Sequence, residues 1–450
     1  MLWAWYLDRP PHYTVTAPPP PVPNALDDFV RAAKARRHVL EMKYAEVDWH
    51  DLQVATMDAR LLAKWKHNRG SAPLPEDIAR VDMSVTMAQL LRDNAPAVQM
   101  IRAGLRCRFL MPFNAESPKY GWQRWQEANQ AVACCSGLLA MRAIYSLRHA
   151  PPAVAADALV DFIHFNVLTQ PRREVLMVRR RGYGELRDLA PRLSAGEART
   201  VAARMEGIRQ IRPSYAAWLE QERPWIVQGM TLGLAQENRH AYYTRLTNWL
   251  NVTPCPFRWP WVDLFYGWTV PHALVPARTD RYLKACAKVA KLPVAAHARY
   301  PTPSRDCVNW QRFGWDERDR EQVGWALWEF QQDCLTLSVA VEGYHKAHGH
   351  YPVRLDDIVT DGWITRVPVD PFTQQGQISY RNAGKRFKLY SVGPDGRDDR
   401  GRAIVNRVTP EEERNWGPNR TRYLVKVTSE GDVVYSVNER AEDNSNSDRL

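Results

Sequence analysis

The sequence predicts a mainly α N-terminal region, an α-hairpin array, followed by a C-terminal α+β module built from one long helix and antiparallel β-hairpins. Three observations predict this. Between residues 24 and 250, apolar residues recur at helical spacing in segments separated by short polar joints. From Val323 through Leu327, Phe330, Cys334, Leu337 and Val341 to Tyr344, one apolar seam is spaced alternately four and three. Beyond Gln377 the apolar period switches to two, interrupted by Asn and Gly turns.

At 450 residues the chain exceeds one simple core, and two or three domains are expected. Residues 1–23 read as a tail and Pro-rich spacer, 24–250 as the helical array, and 251–316 as a Pro/Trp-rich connection with one helix. Residues 317–438 are the α+β module, and 439–450 a polar tail expected to be disordered. Met1 to Leu7 is apolar and aromatic, then stops at Asp8 and Arg9. Seven residues cannot span a bilayer, which takes about 20, and no signal-peptide pattern is present. Trp3, Trp5 and Tyr6 beside a charge resemble the aromatic end of a membrane helix. The expectation is the remnant of an anchor whose start lies upstream, with membrane association at the N-terminus. Residues 10–23, with PP and PPPPVP, form an extended polyproline spacer.

Asn24 caps a helix with Leu26, Phe29, Val30 and Ala33 on one face. Leu74 to Leu105 reads as two helices, with Asn94 as a cap and Pro96 in the first turn of the second. Trp122 to Leu147 and Ala153 to Leu168 are apolar-faced helices. Ser194 and Glu197 form a capping box that opens a helix toward Ile208. Pro213 begins the next helix, and Pro224 is expected to break or kink it. Residues 251–276 collect prolines and aromatics, and Trp259, Trp261 and Trp268 form a candidate partner patch. A helix around Asp280 to Ala290 follows.

In the module the long helix ends near Gly349, before Tyr351 and Pro352. Leu355 to Val359 and Trp363 to Val367 return the chain, and Pro368, Asp370 and Pro371 make a rigid turn. Ile378 to Arg381 and Arg386 to Val392 form a β-hairpin around Asn382-Ala383-Gly384. Gly393-Pro394-Asp395-Gly396 closes it, and a second hairpin is expected from Tyr423 to Val427 and Val433 to Val437.

These motifs, in this order, resemble the soluble part of the major pseudopilin of type II secretion. The residues that carry the resemblance are Tyr344, Gly349-His350-Tyr351-Pro352, Pro368-Val369-Asp370-Pro371, Tyr380-Arg381 and Tyr390-Ser391-Val392-Gly393-Pro394-Asp395-Gly396. They cover about 70 residues, under a fifth of the chain. The whole chain is similar to large uncharacterised envelope proteins of planctomycete-type bacteria, in which a helical region precedes such a module. No prepilin-peptidase site or long apolar helix precedes Val323, and Glu329, Gln331, Gln332 and Asp333 interrupt the seam, so filament assembly does not follow. The resemblance implies a calcium loop in which Asp395, Asp398 and Asp399 supply carboxylates and Ser391 a hydroxyl. Hard Ca²⁺ takes six to eight oxygens, and Arg397 and Arg400 place positive charge at that loop.

Other chemistry is weaker. His345, His348 and His350 form H-x-x-H-x-H, read as exposed histidines without a completing ligand. Arg179, Arg180 and Arg181, with Arg172 and Arg173, read as a solvated helix end. The seven cysteines are scattered without a C-x-x-C pair, which argues against a zinc ribbon or a disulfide framework. The formal charge of +11 is spread along the chain, so no nucleic acid is expected. The expectation is a non-catalytic binding or scaffold protein of the bacterial cell envelope with a protein partner. The alternatives are an enzyme whose site is assembled in the helical region, and a nucleic-acid binder using a basic helical surface.

Overall fold

The computed structural model describes residues 21–37, 39–42, 79–81, 86–110, 118–169, 182–236, 275–294, 315–406, 425–426 and 428–435. Helix α1 (Ala25–Ala35) starts at Asn24 as expected. The Asn24 side chain accepts from the Leu26 amide at 3.2 Å and exchanges hydrogen bonds with the backbone of Leu110. The cap therefore also fixes α1 to a chain segment 86 residues away. Strand β1 (Val39–Met42) pairs antiparallel with β2 (Ala79–Val81). The helix expected from Leu74 is thus corrected: at residues 79–81 pairing with a distant strand overrides local helical spacing. Helix α2 (Met87–Asp93) begins instead where Thr86 accepts from the Gln89 amide. Helix α3 (Ala95–Gly104) follows with Pro96 in its first turn. Asn94 makes no side-chain cap; it is buried and exchanges hydrogen bonds with the backbone of Arg37.

Helices α4 (Pro118–His149) and α5 (Pro152–Thr169) form an αα-hairpin on α1, where Phe29 meets Phe165 with ring centroids 4.8 Å apart. Within α4, Glu127–His149 is long and apolar enough to cross a membrane, and 72% of its most apolar window is buried in the protein. Next come α6 (Tyr183–Leu189), a 3₁₀ turn (Ala190–Arg192) and α7 (Ala195–Ile211), the last opened by the expected Ser194–Glu197 capping box. Helix α8 (Tyr215–Gln236) is continuous through Pro224, so of the expected break or kink the break does not occur. A proline fixes a helical φ and forfeits one hydrogen bond. Packing of Trp218, Leu219 and Val227, and the pair Arg223–Asp280 at 2.5 Å to α9 (Val275–Val289), hold the helix across it.

The 34-residue helix α10 (Trp315–His348) lies at the centre. A single buried seam was expected; instead nearly every side chain from Gln322 to Val341 is buried, Gln331, Gln332, Asp333 and Thr336 included. The additional cover comes from α6, the 3₁₀ turn, α7 and α8. Trp328 donates to the Tyr183 hydroxyl, and Trp325 packs on Tyr215 and Trp218. After Gly349 comes α11 (Leu355–Thr360), then β3 (Ser379–Asn382) and β4 (Phe387–Ser391), antiparallel and in the expected hairpin. Strand β5 (Val433–Val434) pairs with β4, giving a three-stranded antiparallel sheet β3-β4-β5. Val433 and Val434 thus extend the first hairpin; the pairing expected between 423–427 and 433–437 falls largely outside the described residues. One continuous core runs from Ala25 to Tyr435.

The crossing of α7, α10 and the chain after α11 needs Gly343. A Cβ there would sit 2.9 Å from Ala198 Cβ and closer still to the Trp363 ring. Overpacking of this kind costs about 1–3 kcal/mol. Gly343→Ala is expected to lower the unfolding free energy by that amount, read as a lower denaturant midpoint at unchanged slope.

Candidate functional site

One half-buried ionic cluster, one buried ionic cluster and one surface loop are the sites of interest among the described residues. In the first cluster, α5 places Asp157 and Asp161 one turn apart. Arg204 of α7 grips both, at 2.5 and 2.6 Å, and Arg142 of α4 grips both, at 2.9 and 2.6 Å. Arg102 of α3 adds Asp161 at 2.5 Å and also reaches Asp157. Three guanidiniums on two carboxylates tie four helices together, with geometry that suits forked donors. Burial alone would raise the Asp157 pKa, but Arg102, Arg142 and Arg204 outweigh it and hold the carboxyl below its usual range. One turn on, burial and the adjacent Arg204 push the His164 pKa down to about 4, against the pull of Asp161. Its Nε2 has no hydrogen-bond partner among the described residues.

The second cluster joins α7 to α10. Arg212, just past the end of α7, donates to Asp333 with both terminal nitrogens at 3.2 Å. It also donates to Gln332 Oε1 at 2.8 Å and to the Glu329 carbonyl at 3.2 Å. Burial pushes the Glu329 carboxyl up, against the pull of Arg212. A turn back along α7, Glu206 pairs with Arg209 at 3.0 Å and accepts from the Thr365 amide and hydroxyl. At the other end of α7, Arg199 stacks on Trp363 and donates to the Asp361 carbonyl.

The surface loop is the one the resemblance marks for calcium. Ser391 is fully buried and donates to Asp370 at 2.7 Å, away from the acidic loop. Asp370 also accepts from the Phe372 and Val392 amides; burial still pushes its carboxyl up. Asp395 spends one oxygen on the Arg397 amide and the other on Gly431, at 3.1 and 3.0 Å. Asp398 accepts from the Arg400 amide at 2.8 Å. Asp432 is buried and accepts from the Asp399 and Gly401 amides at 3.2 and 2.5 Å. Gly393, at φ +72°, lies against the Gly431 carbonyl, where a side chain would not fit. Asp370, Asp395, Asp398 and Asp432 thus serve as backbone staples, while the Asp399 carboxylate stands 3.9 Å from Arg402. No three His, Cys, Asp or Glu side chains among the described residues are grouped to hold a metal.

The histidines of H-x-x-H-x-H lie near one another, with the His348 and His350 ring centroids 6.2 Å apart. His345 stacks on Tyr351, His348 bonds Asp361 at 2.9 Å, and His350 contacts the Tyr351 carbonyl. Trp259, Trp261 and Trp268, and the arginines at 172, 173 and 179–181, lie outside the described residues. Sequence reasoning missed both ionic clusters and Asp432. Two aspartates in the apolar run Ala155–Val167 were a usable signal, because charges there must find partners. Asp432 offered none, since its partners lie about 30 residues earlier.

Compared with known proteins, the chain matches no family model, no curated protein and no solved structure.

Removing one partner of a buried pair leaves an uncompensated charge, at about 3–5 kcal/mol. Arg212→Leu is expected to destabilise the fold by that amount, and the double variant with Asp333→Leu by distinctly less, read by a double-mutant cycle in denaturant. For His164, the unfolded imidazole binds a proton near pH 6.5 and the folded one only near pH 4. Its contribution is complete above pH 6.5 and is lost as pH falls through about 4. The unfolding midpoint of His164→Gln should therefore depend less on pH across that window than the parent's.

Proposed function

We propose that the chain is a non-catalytic binding or scaffold protein of the bacterial cell envelope, with the C-terminal α+β module as its presented end. The observation that carries this is the use of the buried charges. Asp157, Asp161, Glu206 and Asp333 accept from arginines and from Thr365 across element boundaries, so their chemistry is spent on rigidity. The envelope setting is supported by the ordered pseudopilin-like motifs. Among these, Asp370, Ser391, Gly393 and Asp395 each have a definite part in closing the sheet and its loop. The partner in this proposal is another envelope protein, met on the module or on the Trp259–Trp268 segment.

An enzymatic role is favoured by one observation, the unpartnered Nε2 of His164 beside Arg204. Its steep burial works against it, because a general base must reach its substrate.

Fractionation of native cells tests the location. Recovery with the envelope is expected, and a purely cytosolic full-length protein would overturn the proposal. Calorimetric titration of the full chain with calcium is expected to give no saturable heat. Binding abolished by Asp395→Ala would mean instead that the loop reorganises into the cation site of the family it resembles.

A further inference from the structure

The β3–β4 hairpin and the loop after Gly393 bring together an unusual density of positive charge. Between Arg381 and Arg402 there are seven Lys and Arg against three Asp, an excess of four. Arg381 and Lys388 stand directly opposite each other across the ladder, on one face of the sheet. Like charges so placed are destabilising. They are accommodated because each donates to a carbonyl of the same turn, Arg381 to Arg400 at 2.7 Å and Lys388 to Gly401 at 3.0 Å. Those bonds draw the loop onto the hairpin, so that Arg400 and Arg402 join Arg381 and Lys388 at one surface. Lys385 and Arg386 extend it along the hairpin turn.

The three aspartates of this stretch leave it an excess of four positive charges, and Asp357, which accepts from the Val353 and Arg354 amides, lies at the Val353 edge. Asp395 and Asp398 accept backbone amides, and Asp399 stands 3.9 Å from Arg402 as the nearest ion pair. Lys385, Arg386, Arg397 and Arg400 are exposed and make no ion pair among the described residues. Two exposed apolar side chains flank the basic group. Val405, 60% exposed, follows Arg402 by three positions; Val353, 75% exposed, adjoins Pro352, whose carbonyl accepts from Asn382 of the hairpin.

We infer that this face of the module docks on an anionic phospholipid surface. Basic side chains near such a surface are drawn to its phosphates, and valines among them suit the headgroup–acyl boundary better than a nucleic-acid backbone does. In this loop Asp395 and Asp398 turn to the backbone, and Arg397 and Arg400 are left to solvent. The inference deepens the envelope proposal and rests on it for where the surface is met. The vesicle assay below tests the patch alone and fractionation tests location, so either can fail without the other.

The test is co-sedimentation of the full-length protein with vesicles of neutral phosphatidylcholine, and with the same vesicles carrying phosphatidylglycerol. Binding to the anionic vesicles alone, weakening as salt rises, is expected. The variant Lys385→Gln/Arg386→Gln/Arg397→Gln/Arg400→Gly removes four charges and no described side-chain hydrogen bond. At about fivefold per basic side chain, its binding should fall on the order of a hundredfold or more. An equally discharged variant with the substitutions Arg31→Gln, Lys34→Gln, Arg192→Gln and Arg278→Gln should bind like the parent, and circular dichroism should show both folded. Three outcomes would overturn the inference: equal binding to neutral vesicles, equal loss in the two variants, or tighter binding to duplex DNA at matched phosphate.

Discussion

The arrangement depends on burying one guanidinium. Helix α10 carries Gln332 and Asp333 at the centre of the molecule, where an unpaired carboxylate could not be tolerated. Arg212 meets both, and its position is set by the end of α7, where the helix stops and the chain turns toward α8. A central helix that looks too polar for a core is thereby made into one. The same contact fixes the C-terminal module against the helical region, since α10 belongs to both.

Helix α7 distributes this role along its length. Arg199 holds Trp363 near its start, Arg204 grips the α5 carboxylates, Glu206 takes the amide and hydroxyl of Thr365, and Arg212 closes on α10. Spacing along a helix turns successive residues to different sides, so one element reaches three neighbours, the segment 363–365, α5 and α10, with four charged side chains. Ion pairs of this kind add little net stability over apolar packing, and specificity of arrangement is their best-attested return. That is consistent with a body built to hold a shape.

The sheet at the far end follows another rule. Asp370, Asp395 and Asp432 each accept backbone amides from chain segments that have no ladder to join. Such staples close loops, and they leave the basic side chains of the same segments exposed. Structure and surface charge are therefore one design in this region: the acids hold the loop, and the arginines are what it shows.

Much of the fold was legible in the chain itself. The Asn24 cap, the Ser194–Glu197 box, the α4–α5 hairpin, the end of α10 at Gly349 and the β3–β4 hairpin all rest on interactions between near neighbours, which period and residue type encode directly. The tertiary structure alone decided that residues 79–81 pair as a strand, that α8 passes Pro224, that β5 joins β4, and that the polar residues of α10 are interior. The candidate site divides in the same way. Ser391 and Asp395 stood out as special positions, but that Ser391 serves Asp370 and that Asp432 completes the loop depended on segments 20 or more residues apart. Local backbone preferences are written in consecutive residues, whereas the fate of a charge is decided by whatever the rest of the chain packs against it.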